Sequence, residues 1–556
     1  LRLSNGGYMP SRARFITAVA ALLVIASCAL SAQTKKERPV TLLNGYGNLH
    51  HPVTTSNPQA QAFFDQGLRL IYAFNHDEAA RSFRHAAELD PKLAMAYWGV
   101  AEAVGPNYND PASDDRFAQA HEAIQKAADL SSNASPSEQA YIAAMAKRFP
   151  ADPKADRRAA AEQYHDAMRA VMQQFPDDLD AATLFAESGM DLHPWGLWHL
   201  DGTPEQGTDE VIAALESVIQ RDPNHMGAVH YYIHAVEASP NPERALAAAE
   251  RLASLAPAAG HLVHMPGHIY IRTGDYQAAV KTNEDAAAAD EAYLKASGAQ
   301  GIYPLMYYSH NLHFIATCAS TNGNYAEAMT TAKRLSDHVA PYVKDVPPLE
   351  AFMTIPMAVQ VRFHRWNEIL AVPRPSADHQ TMTNYWHFAR GMALAATGKL
   401  ADAQAEYKAL TAIRDATPPD QIFSMPFNNK TREVLTIATD VLGAKIASVN
   451  KDTSSALAML REAVAQQDKL NYAEPPDWFF PVREVLGGVL LESGNASEAE
   501  KVFRDDLARN RRNPRSLFGL REALKAQKRD YDAQFVDKQL HDSWKGAQEL
   551  QVTDLT

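Results

Sequence analysis

A short pattern of small and aromatic residues recurs along this chain and constrains its fold more than any other feature. Between Phe64 and Pro91 it reads Gly67, Asn75-His76-Asp77, Ala79, Phe83, Ala86 and Leu89-Asp90-Pro91. It returns as Gly274-Asp275-Tyr276, Ala279 and Ala286, as Gly323-Asn324-Tyr325, Ala328 and Ala332, and as Gly398-Lys399-Leu400, Ala403 and Tyr407; a further copy closes on Leu255-Ala256-Pro257. Small side chains at fixed offsets let two short antiparallel helices approach closely, and an aromatic at the turn seals each pair against the next. Such pairs bury their apolar faces by stacking, so the expected fold is an all-α solenoid.

The pattern resembles the tetratricopeptide repeat (TPR) from about residue 58 to about 530. Copies are expected to begin near residues 60, 94, 179, 226, 260, 309, 350, 384, 480 and 514, with less regular helical material over 113–175 and 431–470. The chain divides into a signal segment at 1–32, an N-terminal linker at 33–57, N-terminal helical repeats at 58–178, central repeats at 179–345 and C-terminal repeats at 346–556. Two inserts interrupt the helices: Met190 to Pro204, with His193, Trp195, Trp198 and His199, and Tyr472-Ala-Glu-Pro-Pro-Asp-Trp478. Pro and Gly are poor helix-interior residues, and inserts of this kind emerge on one face of a solenoid, where they can fill or roof its groove.

The first 32 residues are set apart. Arg12 and Arg14 precede an apolar or small-residue run from Phe15 to Cys28 that is too short to span a membrane, the pattern of an export signal, with Met9 as the natural start. Ile25-Ala26-Ser27-Cys28 resembles a lipoprotein box, which would make Cys28 a lipid anchor; Ala29 and Ser31 would equally serve an ordinary signal peptidase. The expected location is periplasmic, lipid-anchored to a membrane or secreted. Cys318 is the other cysteine, so the processed chain has no intramolecular disulfide. The formal net charge of -13 argues against nucleic acid as a partner.

Seven histidines fall between residues 230 and 313: His230, His234, His261, His264, His268, His310 and His313. First helices are expected to begin at Met226, Gly260 and Ser309. The resemblance implies that the second, fifth, ninth and twelfth positions of each first helix line the concave groove, and all seven histidines take such positions. Glu237 takes the twelfth position of its copy and Glu187 the ninth of the copy starting at Leu179. Residues three or four apart share a helix face, so His230/His234, His261/His264, His264/His268 and His310/His313 can each present two imidazoles to one ion. Adjacent first helices stack at roughly 10 Å, close enough for pairs to meet.

His261 and His268 are seven residues apart, about 10.5 Å along a helix, too far to share an ion easily. Either two ions bind, one nearer His261, His310 and His313 and one nearer His230, His234 and His268, or one binds and the other histidines act on substrate. Nitrogen-rich donors suit zinc, copper, iron or nickel rather than magnesium or calcium, and the expected cofactor is one or two transition-metal ions, zinc or copper foremost. Glu187 and Glu237 are the candidate catalytic bases. Pro266 and Gly267 break helix rules inside the cluster and are expected to re-aim His268. Met265 reads as core, His387 and Arg390 as interior, and Tyr307, Tyr308 and Asn311 as packing beside His310. Glu474 is expected to pair with a buried Arg483.

Gly-His-x-x-His-Met-Pro-x-His-Ile from Gly260, Ser-His-Asn-Leu-His-Phe from Ser309, Glu474-Pro-Pro-x-Trp478 and Arg483 together resemble a group of exported bacterial TPR proteins. The resemblance implies an α-solenoid with a histidine-lined groove and supplies no reaction. Three functions stay open: a metalloenzyme, hydrolytic or oxidative, acting on a small molecule; a scaffold holding a peptide or an envelope partner; and a metal-storage protein. An enzyme should have a closed, partly dry pocket, and a scaffold an open groove.

Overall fold

A computed structural model describes residues 39–152, 154–424 and 428–556. The expected export segment and Cys28 lie outside the described residues. Everything regular among the described residues is helical, apart from isolated bridges such as Trp198 to Pro204 that join into no sheet. No helix among them is long and apolar enough to cross a membrane.

Antiparallel helix pairs follow one another as a TPR-like solenoid. First helices begin at Pro58, Ala94, Leu179, Met226, Gly260, Tyr308, Glu350, Gln380, Val482 and Pro514, within a few residues of the expected starts. The less regular stretches resolve into ordinary pairs: Pro136–Arg148 with Arg157–Gln174, and Thr431–Val449 with Thr453–Gln467. Gly274 and Gly323 end their first helices in the left-handed region, at φ 81° and 95°, a conformation that costs glycine nothing.

The small residues have a steric reason. Phe83 sits between Gly67 and Gly99, where an added methyl carbon would lie 2.5 and 2.4 Å from its ring. Phe503 occupies the equivalent slot between Gly487 and Gly519 near the other end. Each ring is fully buried, so the glycines exchange their own side-chain contacts for a buried Phe worth about 1.5 to 3 kcal/mol.

The solenoid curls until distant parts touch. Tyr276 Oη donates to the Arg511 carbonyl at 3.1 Å, and Arg511 pairs with Glu243 at 2.8 Å. Lys545 N donates to the Asn322 carbonyl at 2.7 Å. From the other side, Asn109 donates to Tyr307 Oη at 3.2 Å. Residues 39–57 are irregular and lie across the first helices: Leu43 N donates to Gln66, Thr54 N to Glu138 and Ala258 N to the Gly45 carbonyl, at 2.6, 2.7 and 2.9 Å. The central first helices are thereby enclosed.

Candidate metal centre

The helix Met226–Glu237 carries His230 and His234, and the next first helix carries His261, His264 and His268. That second helix is divided at Met265 into Gly260–His264 and Pro266–Thr273, because Pro266 has no N–H to continue the ladder. His310 and His313 lie on Tyr308–Asn322. His230, His234, His261, His264 and His268 are at most 3% exposed.

The imidazoles fall into two groups of three. His230, His234 and His261 bring one ligating atom each within 4.8 Å of one another, and so do His264, His268 and His310. The groups adjoin: the His234 and His268 ring centroids are 5.7 Å apart and those of His261 and His264 5.8 Å. This grouping differs from the expected one, in which His268 joined His230 and His234 while His261 joined His310 and His313. His268 instead faces its helix neighbour, Nε2 to Nε2 at 2.8 Å from His264, and His261 reaches back to His230, Nε2 to Nε2 at 3.0 Å. His313 belongs to neither group; it packs edge-on to Phe352, at 5.6 Å, and lines the adjoining cavity.

Contacts at Nδ1 orient three of the rings. His230 Nδ1 donates to the Tyr72 carbonyl at 2.7 Å, which leaves Nε2 with its lone pair. His264 Nδ1 donates to Asn283 Oδ1 at 2.6 Å, and Asn283 Nδ2 donates to the Ala279 carbonyl at 2.8 Å, which settles which amide atom faces the ring. His234 Nδ1 lies 3.1 Å from Glu237 Oε1, while its buried Nε2 has no partner. This Nδ1 tethering with Nε2 left for an ion is the usual arrangement around histidine-bound metals.

Glu237 ties the groups together. Its Oε1 contacts His234, and its Oε2 lies 2.5 Å from His268 Nδ1, off the N–H direction, so that contact is ionic. Glu474 Oε2 approaches the same nitrogen at 3.1 Å. Burial by itself would push His268 down, but Glu237 and Glu474 more than offset it and hold the ring up at about 10. Burial and neighbouring imidazoles push His230, His261, His264 and His310 well down, leaving neutral rings with free lone pairs.

One phenylalanine packs against each group. Phe74, left-handed at φ 53°, has its ring centroid 4.6, 5.7 and 5.1 Å from those of His230, His234 and His261. Phe314 is 4.8, 5.0 and 5.0 Å from His264, His268 and His310. Each ring excludes water from one side of its group.

The other side opens on a cavity of about 170 Å³. Trp195 of the first insert and Glu474, Pro475 and Pro476 of the second line it, as expected of inserts that roof a groove. Trp195 Nε1 donates to Asn109 at 3.1 Å, and Trp198 Nε1 to the Ala235 carbonyl at 2.8 Å. His193 and His199 are absent from this lining; the His199 side chain is 53% exposed.

Several expected partners are elsewhere. Arg483 pairs with Asp468 at 2.6 Å, not with Glu474, because Asp468 caps the neighbouring helix end beside it. Glu474 is thus free to reach His268 and, at 3.9 Å, Arg272. Glu187 is buried, but the charges around it are Glu102, Asp191 and Arg148, and it joins neither histidine group. His387 and Arg390 both bind Glu406, at 2.6 and 3.1 Å, and Met265 is fully buried core. Tyr308 donates to Glu291 at 2.8 Å and Asn311 to Asp290 at 2.7 Å, while Tyr307 lines the cavity edge-on to His261 at 4.9 Å.

Sequence reasoning missed Glu474 as a histidine partner, and the anchors Tyr72, Phe74 and Asn283. It also missed a second cluster, His51 with Asp178 and Asp180. Asp180 there already accepts from Tyr72 at 2.6 Å and contacts His51 and His225 at 2.7 and 3.1 Å, which marks a structural junction.

No protein-family model matches the chain, and no curated protein is similar to it in sequence. Similar solved structures include a human IFIT1 dimer with PPP-AAAA, at 12% identity and a TM-score of 0.32 over 85% of this chain and 88% of that one. The Cut9–Hcn1 hetero-tetramer of the APC/C gives 12% and 0.31 over 84% and 76%, and the P58(IPK) TPR domain 12% and 0.23 over 84% and 98%. Likeness this low leaves the fold description resting on the chain's own helices and says nothing of its ligands.

Proposed function

We propose that this chain is a metalloenzyme holding two transition-metal ions, one at His230, His234 and His261 and one at His264, His268 and His310, and acting on a small molecule in the adjoining cavity. One observation carries the reading. His264 and His268 turn their Nε2 atoms toward each other at 2.8 Å while their Nδ1 atoms are engaged by Asn283 and by Glu237 with Glu474. The charged His268 ring donates Nε2–H to His264, and an ion displacing that proton would find two converging Nε2 donors; His230 and His261 converge likewise, Nε2 to Nε2 at 3.0 Å, in the first group. Enclosure by Phe74, Phe314 and both inserts supports an enzyme over an open peptide-binding scaffold.

Copper is the preferred ion. Two adjacent three-histidine sites favour oxidative over hydrolytic chemistry, and Glu237 and Glu474 are the groups positioned to take or return a proton. The periplasmic or lipid-anchored location expected from the sequence fits an oxidising setting and belongs to the same proposal.

A second reading comes from Glu237, His268 and Glu474, whose ligand atoms also fall within 4.8 Å of one another. Glu237 Oε2, both Glu474 oxygens and His268 Nδ1 are buried without an in-line hydrogen bond. A zinc ion there would use Nδ1 of His268 and would exclude the Nε2-bound ion only if the ring were tied to one.

Elemental analysis of the purified protein, coupled with electron paramagnetic resonance, tests both readings. The expected result is close to two copper ions per chain, about one after His264→Ala, and two after His193→Ala. Zinc retained by His264→Ala and lost by Glu474→Gln would favour the second reading. Absence of stoichiometric metal, both as purified and after reloading, would reject each of them.

A further inference from the structure

The cavity beside the histidines has a lining of unusual chemistry. Its walls include Trp195, Phe352, Ile355, Phe423 and Phe479, and no lysine or arginine is among the described lining residues. Its volume of about 170 Å³ is that of a chamber for one ring, since an apolar cavity of about 150 Å³ accepts benzene. The carboxylates that touch it are occupied: Asp477 accepts from Ser424 and Asn429 at 2.6 and 2.7 Å, and Glu474 faces His268. His268 lies between the carboxylates of Glu237 and Glu474, so an anionic ligand would meet no side-chain cation that is not already paired.

Apart from the two histidine groups and Glu474, two polar atoms of this lining have no hydrogen-bond partner. His313 Nε2 and Tyr385 Oη are both buried and unpaired, and both residues line the cavity. An unpaired buried polar group costs about 1 to 3 kcal/mol, so the pair invites a ligand group able to hydrogen-bond with it. The His313 ring is neutral, burial having pushed it down to about 3, and can donate or accept. We infer that the cavity binds a neutral single-ring aromatic molecule bearing one hydroxyl or carbonyl group, with that group on His313 and Tyr385 and the ring against Phe352 and Phe423. This rests on the proposal that the cavity is the substrate chamber, and makes His313 a substrate-binding residue instead of a metal ligand.

The test measures binding of 4-methylphenol, toluene and 4-methylbenzoate by calorimetry. It uses the full chain, as purified and after chelation, with metal content determined on the same samples. In the chelated protein 4-methylphenol should bind one to one, about tenfold tighter than toluene and tighter still than 4-methylbenzoate. Tyr385→Phe removes one oxygen and should bring 4-methylphenol to within a few fold of toluene without changing toluene; His313→Leu should do the same. Ala351→Phe should block all three. Equal affinity for 4-methylphenol and toluene, tighter 4-methylbenzoate, or an unaltered 4-methylphenol affinity in Tyr385→Phe would overturn the inference. Selective 4-methylphenol binding by a protein that never holds metal would uphold it and reject the metal centre; metal without 4-methylphenol binding would do the reverse.

Discussion

Gly267 and Asn283 are in contact across two helices: a methyl carbon placed on Gly267 would lie 2.5 Å from Asn283 Nδ2. The same amide donates to the Ala279 carbonyl and accepts from His264 Nδ1. A helix interior normally gains about 1 kcal/mol from alanine in place of glycine; here the added carbon displaces the group that orients His264.

Gly267→Ala should therefore fold well and bind metal poorly. The expected outcome is a melting temperature of the metal-free protein within a few degrees of the parent, and a loss of about 10- to 100-fold in affinity at the second histidine group, the usual effect of disturbing a ligand's hydrogen-bond partner. Asn283→Leu should act in the same direction. Parental affinity in both variants would mean that the orientation of His264 is set elsewhere.

Glu237 makes a distinct prediction because it touches His234 of one group and His268 of the other. Burial alone would raise its pKa, but the two histidines hold it down at about 2, so it is a carboxylate at neutral pH. Glu237→Gln keeps the shape and removes the charge. Metal titration of this variant should show both sites weakened together, whereas Asn283→Leu should weaken only one. Loss confined to a single site would contradict the bridging role.

The repeat register was legible in the sequence because Gly67, Gly274 and Gly323 answer to local sterics, and local sterics are written in nearby residues. The same register put all seven histidines on the groove face, and six of them meet there in two adjoining groups. Which histidine meets which was not legible. That choice depends on the break at Met265 and on the stacking of successive pairs, and neither follows from helix periodicity. Glu474 was in view but was assigned to Arg483, whose partner Asp468 stands only fifteen residues away. Phe74 and Tyr72 enter the site through the curl of the whole solenoid, which no local pattern encodes. Glu187 was placed in the groove by counting positions, yet its side chain faces a cluster of acids around Arg148.

The junction of residues 39–57 with the repeats should be sensitive to alkali. His51 Nδ1 lies 2.7 Å from Asp180 Oδ2. Burial would lower the His51 pKa, but Asp180, Asp178 and Asp65 outweigh it and raise it to about 9. The folded value exceeds the unfolded value of about 6.5, so this stabilisation is fully present below pH 6.5 and is lost as pH rises through 9. Asp180, held far down by His225 and His51 against its burial, loses its own contribution only in acid, below about pH 4. Thermal melting from pH 6 to 10 should fall more steeply for the parent than for His51→Asn. Parallel curves would show that His51 contributes nothing titratable.

Arg148 and Glu187 provide the sharpest separation of structure from chemistry. Arg148 is 3% exposed and reaches Glu102 at 3.2 Å, Asp191 at 2.6 Å and the Pro106 carbonyl at 2.8 Å. Three acids share this one cation, and burial followed by repulsion from Glu102 and Asp191 pushes Glu187 well up, toward its neutral form. Asp191 is carried to about 7, with burial raising it and Arg148 opposing. Removing one partner of a buried ion pair costs about 3 to 5 kcal/mol because the other charge is left unpaired, so Arg148→Met should lose about that much by urea unfolding. Glu187→Gln replaces a group pushed toward its neutral form with a neutral one of the same shape, and should change stability by less than about 1 kcal/mol. It should also keep full metal content, because Glu187 touches neither histidine group. If Glu187→Gln instead retained its metal but abolished turnover of an identified substrate, Glu187 would be the catalytic base that its repeat position suggested, and its present surroundings would have to open during the reaction. A variant that keeps metal, stability and turnover assigns Glu187 to the framework and leaves Glu237 and Glu474 as the acids that face the histidines.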